Sequence, residues 1–329
     1  MKVGINGFGR IGRSVFKIAH DKKVDIAAVN DVHGAENSAY LLKYDSIYGR
    51  YKEKVAVIGK DLVVNGKRIK ILTERDPNRL PWKEMGVDVV IEATGIFRDK
   101  IGAMAHIQAG AKYSIITAPA EAPDITIVPG VNHEKLKKEY KVISVASCTT
   151  NCMVPMIKVL HDAFGIQQGF MTTIHGYTND QNLHDGSHKK LRRGRAAALN
   201  MVPTTTGAAE SVVAVMPELL GKIDGFAVRV PIAVGSLVDL VVVLKKKFDE
   251  KSINAVFKKA ASGKMKGIIE YSEDELVSSD VIGNSHSCVF DALSTQKTGN
   301  LVKVLGWYDN EFGYSNRVVD VVSMLKKWC

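Results

Sequence analysis

Three glycines spaced Gly7-x-Gly9-x-x-Gly12, directly after the apolar run Lys2–Asn6 (KVGIN), constrain this chain more than any other feature. An amphipathic pattern follows, with Ile11, Val15, Ile18 and Ala19 on one helical face, and then a second apolar run, Asp25–Asn30, closes at Asp31. Strand, glycine turn, helix and strand in about 30 residues make a βαβ unit, which requires a parallel sheet. In that setting Gly7 makes the tight turn, Gly9 lets backbone approach a pyrophosphate, and Gly12 allows the helix to lie close on the strand. The helix N-terminus offers its free N–H groups to the phosphates. Asp31 stands where a carboxylate can accept from the diol of an adenine ribose. The alternative for a glycine triple is a purely structural turn. No Gly-Lys pair is followed by Ser or Thr, so a Walker-type site is disfavoured and a dinucleotide is the better fit.

The rest of the first half continues the alternation. Val63–Arg68 reads as a hairpin turning at Asn65-Gly66, Val87–Glu92 and Tyr113–Thr117 as buried strands, and Ala103–Ala109 as a helix between them. This predicts a Rossmann-type parallel sheet with helices on both faces. From Lys141 the texture changes. Lys141–Ala146 reads as a strand, Cys148–Phe164 as a helix with Met153, Ile157, Leu160 and Phe164 in its stripe, and Gly169–His175 as a strand. Val228–Pro231, Leu237–Lys245 and Val302–Tyr308 follow with few helices between them, which predicts an antiparallel sheet. Ser315–Trp328 is an amphipathic helix with Val318, Val319, Val322 and Leu325 on its apolar face. The fold class is therefore α/β, an N-terminal Rossmann dinucleotide-binding domain followed by an α+β catalytic domain. Residues 176–202 carry no sustained period, and a loop of that length inside a patterned chain is usually a functional one.

Composition narrows the function. The 329 residues suit two domains, and no apolar run is long enough to span a bilayer. The N-terminus lacks a signal-peptide core and four cysteines are too few for a disulfide scaffold, which points to a soluble cytoplasmic protein. The net charge of +10 fits an anionic substrate. The excess is partly concentrated in His188–Arg195 but mostly scattered, so nucleic acid is not expected to be the main partner.

Cys148 sits where a strand gives way to a helix. The positive end of that helix should draw its thiol toward thiolate, although a small buried hydrophobe is the commoner fate of a cysteine, and Cys152 fits that fate. A Cys148/Cys152 metal pair would need two more ligands, and the spacing supplies none; no metal is expected. His175 ends a strand 27 residues on and, if it meets the sulfur, can take its proton. None of His106, His133, His161, His184, His188 and His286 offers a comparable setting. Thr204–Ala209 is a hydroxyl-rich turn opening a helix, which is an anion site. Arg192, Arg193 and Arg195 end the long loop, as anion ligands or as solvated surface. Arg229 lies inside an apolar stretch and needs an anionic partner, either an internal carboxylate or a ligand.

In order along the chain stand NGFGRIGR (6–13), VND (29–31), ERDP (74–77), EATG (92–95), ASCTTNC (146–152), HGYTNDQ (175–181), TTTGAA (204–209) and WYDNEFGYSNRV (307–318). Together they closely resemble phosphorylating glyceraldehyde-3-phosphate dehydrogenases over essentially the full length. The resemblance implies an NAD-binding domain at 1–147, a catalytic domain at 148–312 and a final helix, 313–329, packing back on the first domain. It implies a homotetramer whose 176–202 loop lines the cofactor site across a subunit interface. The implied substrates are glyceraldehyde 3-phosphate and inorganic phosphate, with Cys148 forming a thiohemiacetal and then a thioester, and His175 as base. By position, Arg10, Ile11, Asp31, Arg75, Thr117 and Asn310 match cofactor contacts. Ser147, Thr149, Thr206 and Gly207 match one anion site, Thr178 and Arg229 the other, and Arg193 lies where many bacterial and plastid relatives bind anions. Val145 and the run PIAVGS (231–236) depart from the family pattern. Ser187 stands where NAD-restricted relatives tend to have Pro, so NAD is expected with NADP as the alternative. An erythrose-4-phosphate dehydrogenase, which would release a free acid to water, is the competing reading within the resemblance.

Overall fold

A computed structural model describes residues 1–329, apart from the side chains of residues 208 and 209. The chain divides into two compact units, the first made of Met1–Ile127, Glu134–Ala146 and Ser315–Cys329, the second of Val128–His133 and Ser147–Tyr314.

In the first unit the elements run β1 (Lys2–Asn6), α1 (Arg10–Asp21), β2 (Asp25–Asn30), α2 (Gly34–Lys43), β3 (Tyr44–Asp45), β4 (Gly49–Arg50), β5 (Val55–Ile58), β6 (Asp61–Val64), β7 (Lys67–Leu72), α3 (Trp82–Met85), β8 (Val89–Glu92), α4 (Lys100–Gln108), β9 (Tyr113–Ile116), β10 (Ile125–Thr126) and β11 (Val142–Ser144). All but the small β3–β4 pair form one nine-stranded sheet in the order β10-β11-β9-β8-β1-β2-β7-β6-β5. From β10 to β7 every pairing is parallel, as the βαβ reading requires, and β5–β7 form an antiparallel edge. The turn between β6 and β7 has Asn65 at φ 50° and Gly66 at φ 80°, the two positive values that Asn-Gly supplies to a type I′ hairpin. Strand order reverses on either side of β1. Asn6 lies opposite both Asn30 and Glu92, so the carboxyl ends of β1, β2 and β8 are flush. Such an edge is where open α/β sheets bind ligands. The helix face named above is buried, with Val15, Ile18 and Ala19 at most 4% exposed.

The second unit carries α5 (Cys148–Phe164), β12 (Ile166–Gly176), β13 (Val202–Thr204), α6 (Ala208–Val215), β14 (Ile223–Val230), β15 (Ser236–Leu244), α7 (Glu250–Ser262), β16 (Ile269–Ser272), β17 (Cys288–Thr298), β18 (Leu301–Tyr308) and the start of α8 (Phe312–Leu325). Its seven strands lie in the order β13-β14-β12-β15-β18-β17-β16. The sheet is mixed rather than antiparallel throughout, because β12 pairs β14 in parallel and β16 pairs β17 in parallel. A helix and the 176–202 loop intervene between β12 and β14, which gives the chain the crossover that parallel pairing needs. Burial alternates along β15, with Val238, Leu240, Val242 and Leu244 turned inward. The end of the chain forms α8 three residues earlier than its hydrophobic pattern begins, and Val318, Val319, Val322 and Leu325 are buried.

Candidate functional site

The sulfur centre is built by a cap and a strand end. Ser147 takes extended backbone geometry and its Oγ accepts from Thr150 N at 3.0 Å, so α5 begins at Cys148 as its first helical residue. His175 is the penultimate residue of β12, 3% exposed. Cys148 Sγ and His175 Nε2 are 3.4 Å apart, so the two side chains separated by 27 residues are in contact. The other ring nitrogen of His175, Nδ1, lies 2.6 Å from Gly176 O; in the tautomer with its proton on Nδ1 the ring donates to that carbonyl and turns the Nε2 lone pair to the sulfur. Tyr308 supports both residues. Its hydroxyl lies 2.9 Å from Thr149 Oγ1 and 2.8 Å from Thr173 Oγ1, and its ring meets His175 edge-on at 6.0 Å.

The charge in this centre belongs to Arg229, directly opposite His175 in the β12–β14 register. Its Nη1 donates to Gly176 O at 3.2 Å and approaches His175 Nδ1 at 2.5 Å. Its Nε is buried with no partner, and among the described residues no carboxylate pairs with it. Of the two partners anticipated for Arg229, the internal salt bridge is therefore not the one the fold provides. Burial, then the Arg229 charge, lower His175 from the ordinary 6.5 to about 3, so the imidazole is neutral at pH 7. The Cys148 thiol departs from expectation: burial raises it, and this outweighs Arg229 and the Thr149 donors, which act to lower it. The helix terminus does act on the sulfur, through the backbone N–H groups of Thr149 and Cys148, but burial outweighs it.

The anion-site candidates belong to the same unit as this pair. Ser147 and Thr149 direct their hydroxyls to Thr150 and Tyr308. Thr178 lies just past the end of β12, with its N–H donating to Gln181 Oε1 at 3.4 Å. Arg193 ties the long loop to the end of β13, donating from Nε to Thr204 Oγ1 at 2.9 Å and from Nη2 to Thr205 O at 3.1 Å, and pairing with Asp180. Thr206 and Gly207 follow, with Gly207 at the N-cap of α6. Arg195 pairs with Asp185, so part of the basic run is neutralised within its own loop. Asn310 accepts from Ser236 Oγ at 2.9 Å and Gly235 N at 3.2 Å.

In the first unit the glycine turn behaves as its spacing predicts. Gly7 has φ 93°, and a Cβ on Gly12 would stand 2.1 Å from Gly7 O, so α1 starts in contact with the end of β1. A Cβ on Gly9 would meet nothing within 4 Å: the turn is open at that point, and the cap of α1 takes no side-chain hydrogen bond. Such an uncapped, open helix start fits a pyrophosphate. Asp31 accepts from Phe8 N at 2.9 Å and His33 N at 3.0 Å, which fixes its carboxylate beside the turn. Arg10 and Ile11 open α1, with Arg10 paired to Asp45 at 2.9 Å. Arg75 follows β7 on an exposed turn held by Glu74, and Thr117 ends β9 with Oγ1 donating to Glu92 O at 3.1 Å. These residues all stand at the carboxyl ends of neighbouring parallel strands.

The sequence reading passed over Tyr308, Glu92 and His106. Tyr308 and Glu92 lie inside the blocks WYDN and EATG, where their neighbours drew the attention. His106 was set aside for want of a partner nearby in sequence, yet it contacts Trp82 and Glu92, 24 and 14 residues away.

Comparison with known proteins agrees with this geometry. Residues 1–100 match the NAD binding domain of glyceraldehyde 3-phosphate dehydrogenase, and residues 147–310 match the C-terminal domain of the same enzyme. The chain is similar to glyceraldehyde-3-phosphate dehydrogenases of Borreliella burgdorferi, 53% identical over 335 residues with 99% of this chain and 100% of the relative covered, and of Geobacillus stearothermophilus, 54% over 328 residues with 99% and 98% covered. A third, from Bacillus subtilis, is 53% identical over 330 residues, covering 99% and 98%. With both domain models matched and relatives of this identity aligned end to end, the chain belongs to the glyceraldehyde-3-phosphate dehydrogenase family.

Proposed function

We propose that this NAD-dependent oxidoreductase converts D-glyceraldehyde 3-phosphate and inorganic phosphate to 1,3-bisphosphoglycerate through a covalent Cys148 intermediate. The observation that carries the reading is the 3.4 Å contact between Cys148 Sγ and His175 Nε2, which takes the sulfur's proton in the tautomer that donates from Nδ1 to Gly176 O. Nε2 takes the thiol proton as sulfur attacks the aldehyde carbon, and returns it to the carbonyl oxygen, giving a thiohemiacetal. Nε2 then removes the hydroxyl proton as the C–H bond gives up its electron pair, leaving a thioester. Bound NAD supplies the hydride acceptor for that step. An oxygen of inorganic phosphate attacks the thioester carbon, the S–C bond breaks, and the Cys148 sulfur takes back the proton held on Nε2. Arg229, a half-buried cation with no internal counter-ion, is the anchor for one phosphate, together with Thr178. Ser147, Thr149, Thr206 and Gly207 serve the other, Arg193 is a further anion contact, and these fixed groups align the reacting atoms.

For the cofactor, Gly7, Gly9, Gly12, Arg10 and Ile11 hold the pyrophosphate, Asp31 the adenosine ribose, and Arg75, Thr117 and Asn310 the remainder. The Asp31 charge opposes a 2′-phosphate, which favours NAD over NADP. We divide the labour as residues 1–147 for cofactor and 148–312 for catalysis, with 313–329 completing the first. A homotetramer is supported by Leu191 and Leu199 in the long loop, 85% and 81% exposed, and by Phe170 and Phe226 on the outer face of the second sheet. No helix among the described residues is long and apolar enough to cross a membrane, and the four cysteines are free thiols, which suits the reducing cytoplasm.

The test is the initial rate of NADH formation from glyceraldehyde 3-phosphate with and without inorganic phosphate. Sustained turnover that requires phosphate supports acyl transfer. Turnover indifferent to phosphate means hydrolysis of the thioester and overturns the phosphorylating reading.

A further inference from the structure

Glu92 is 2% exposed at the carboxyl end of β8, and among the described residues no lysine or arginine pairs with it, an expensive place for a carboxylate. Its surroundings are a chain of hydrogen bonds whose directions are fixed from both ends. At one end the Trp82 indole, which can only donate, gives Nε1–H to His106 Nδ1 at 3.1 Å. The neutral His106 ring must then carry its proton on Nε2, which donates to Glu92 Oε2 at 3.0 Å. At the other end the backbone of Glu74 orients Asn30: Glu74 N donates to Asn30 Oδ1 at 2.9 Å, and Asn30 Nδ2 donates to Glu74 O at 2.8 Å. Asn30 Nδ2 also donates to Asn6 Oδ1 at 2.7 Å, which turns Asn6 Nδ2 onto Glu92 Oε2 at 2.5 Å. The second oxygen, Oε1, accepts from Thr94 N at 2.8 Å and from the Thr94 hydroxyl. Four donors therefore converge on one buried carboxylate.

The geometry at Thr94 gives this a use. A Cβ on Gly7 would lie 2.6 Å from Thr94 N and 2.8 Å from Ala93 C, so the turn after β8 is stacked directly on the first glycine of the cofactor turn. Ala93 N also donates to Asn6 O at 2.7 Å. We infer that Glu92 is a positioning residue for cofactor binding: by holding the Ala93–Gly95 turn against Gly7 it sets where the Gly7–Gly12 backbone meets the pyrophosphate. This rests on the assignment of NAD to the glycine turn.

Glu92→Gln tests it without a change of shape. The amide keeps one acceptor and gains a donor. Turned inward, that donor faces Asn6 Nδ2 and His106 Nε2, neither of which can reverse. Turned outward, it faces Thr94 N–H and spares the buried chain, so the turn at 93–95 is displaced. The Kd and KM for NAD should rise about tenfold or more, with kcat at saturating NAD kept within twofold. Trp82→Phe removes the donor at the far end and loosens the core, but leaves Glu92 its four partners; its Kd for NAD should stay within twofold of wild type. If Glu92→Gln fails to fold, Thr94→Val removes one donor at the rim and should still raise Kd several-fold. An unchanged Kd in Glu92→Gln, or in Thr94→Val where that variant stands in for it, overturns the inference. An equal rise in Trp82→Phe does too, because the network would then serve stability alone. Failure of the wild-type enzyme to bind NAD would instead strike the cofactor assignment.

Discussion

Replacing His175 by Asn separates its chemistry from its electrostatics. Folded His175 titrates at about 3, against an ordinary 6.5, because burial and the Arg229 charge both oppose its protonation. The lowered value means that between pH 6.5 and 3 the unfolded chain takes up a proton that the folded chain refuses. Stability is therefore lost as pH falls through that window, and the full gap amounts to roughly 5 kcal/mol. At pH 5 the share already lost is about 2 kcal/mol, and at pH 7 it is close to nothing. Asn has no proton to gain, so His175→Asn lacks this component while keeping the acid response of every other group. Urea denaturation of the cofactor-free protein at pH 7 and pH 5 should show the wild type losing about 2 kcal/mol more than the variant. The same variant should turn over about 10²–10⁴-fold more slowly, the usual contribution of a positioned base. Equal pH dependence in the two proteins would refute a neutral, desolvated His175, and undiminished turnover would refute its role as base.

Cys148→Ser should abolish dehydrogenase activity while NAD binding, measured by fluorescence titration, stays within a few-fold of wild type, since the glycine turn lies in the other unit. Gly12→Ala places a methyl 2.1 Å from Gly7 O, so α1 or the turn must give way by about 1 Å. A destabilisation of about 1–3 kcal/mol should appear in thermal melts, together with weaker NAD binding. Arg229→Gln should raise KM for glyceraldehyde 3-phosphate at least tenfold, read from initial rates, because it deletes the half-buried cation that contacts His175.

Local patterns were legible in the sequence. The strand–turn–helix around Gly7–Gly12, the Asn65-Gly66 hairpin and the start of α5 at Cys148 are dictated by residues within a few positions of one another. The Cys148–His175 contact was only an expectation, because it depends on how β12 registers beside α5. The antiparallel sheet of the second half was legible, but the parallel pairing of β12 with β14 within it was not, since a strand's direction relative to its neighbour leaves no trace in its own residues. The thiol was expected low and is raised, because a helix terminus is visible in sequence but the burial around it is not. Glu92 and His106 escaped for the same reason: each looks ordinary until Trp82, Asn6 and Asn30, from three other segments, converge on them.

The order in which the first unit acquires its pieces has a consequence for biosynthesis. Residues 1–127 and 134–146 leave the ribosome early, but Ser315–Cys329, with the buried Val318, Val319, Val322 and Leu325, belongs to that unit and emerges after all of the second. At about 5–20 residues per second, the 183 positions from 147 to 329 take roughly 10–40 s to translate. Throughout that interval the nascent cofactor unit lacks part of its core, and the apolar surface awaiting α8 is open to chaperones.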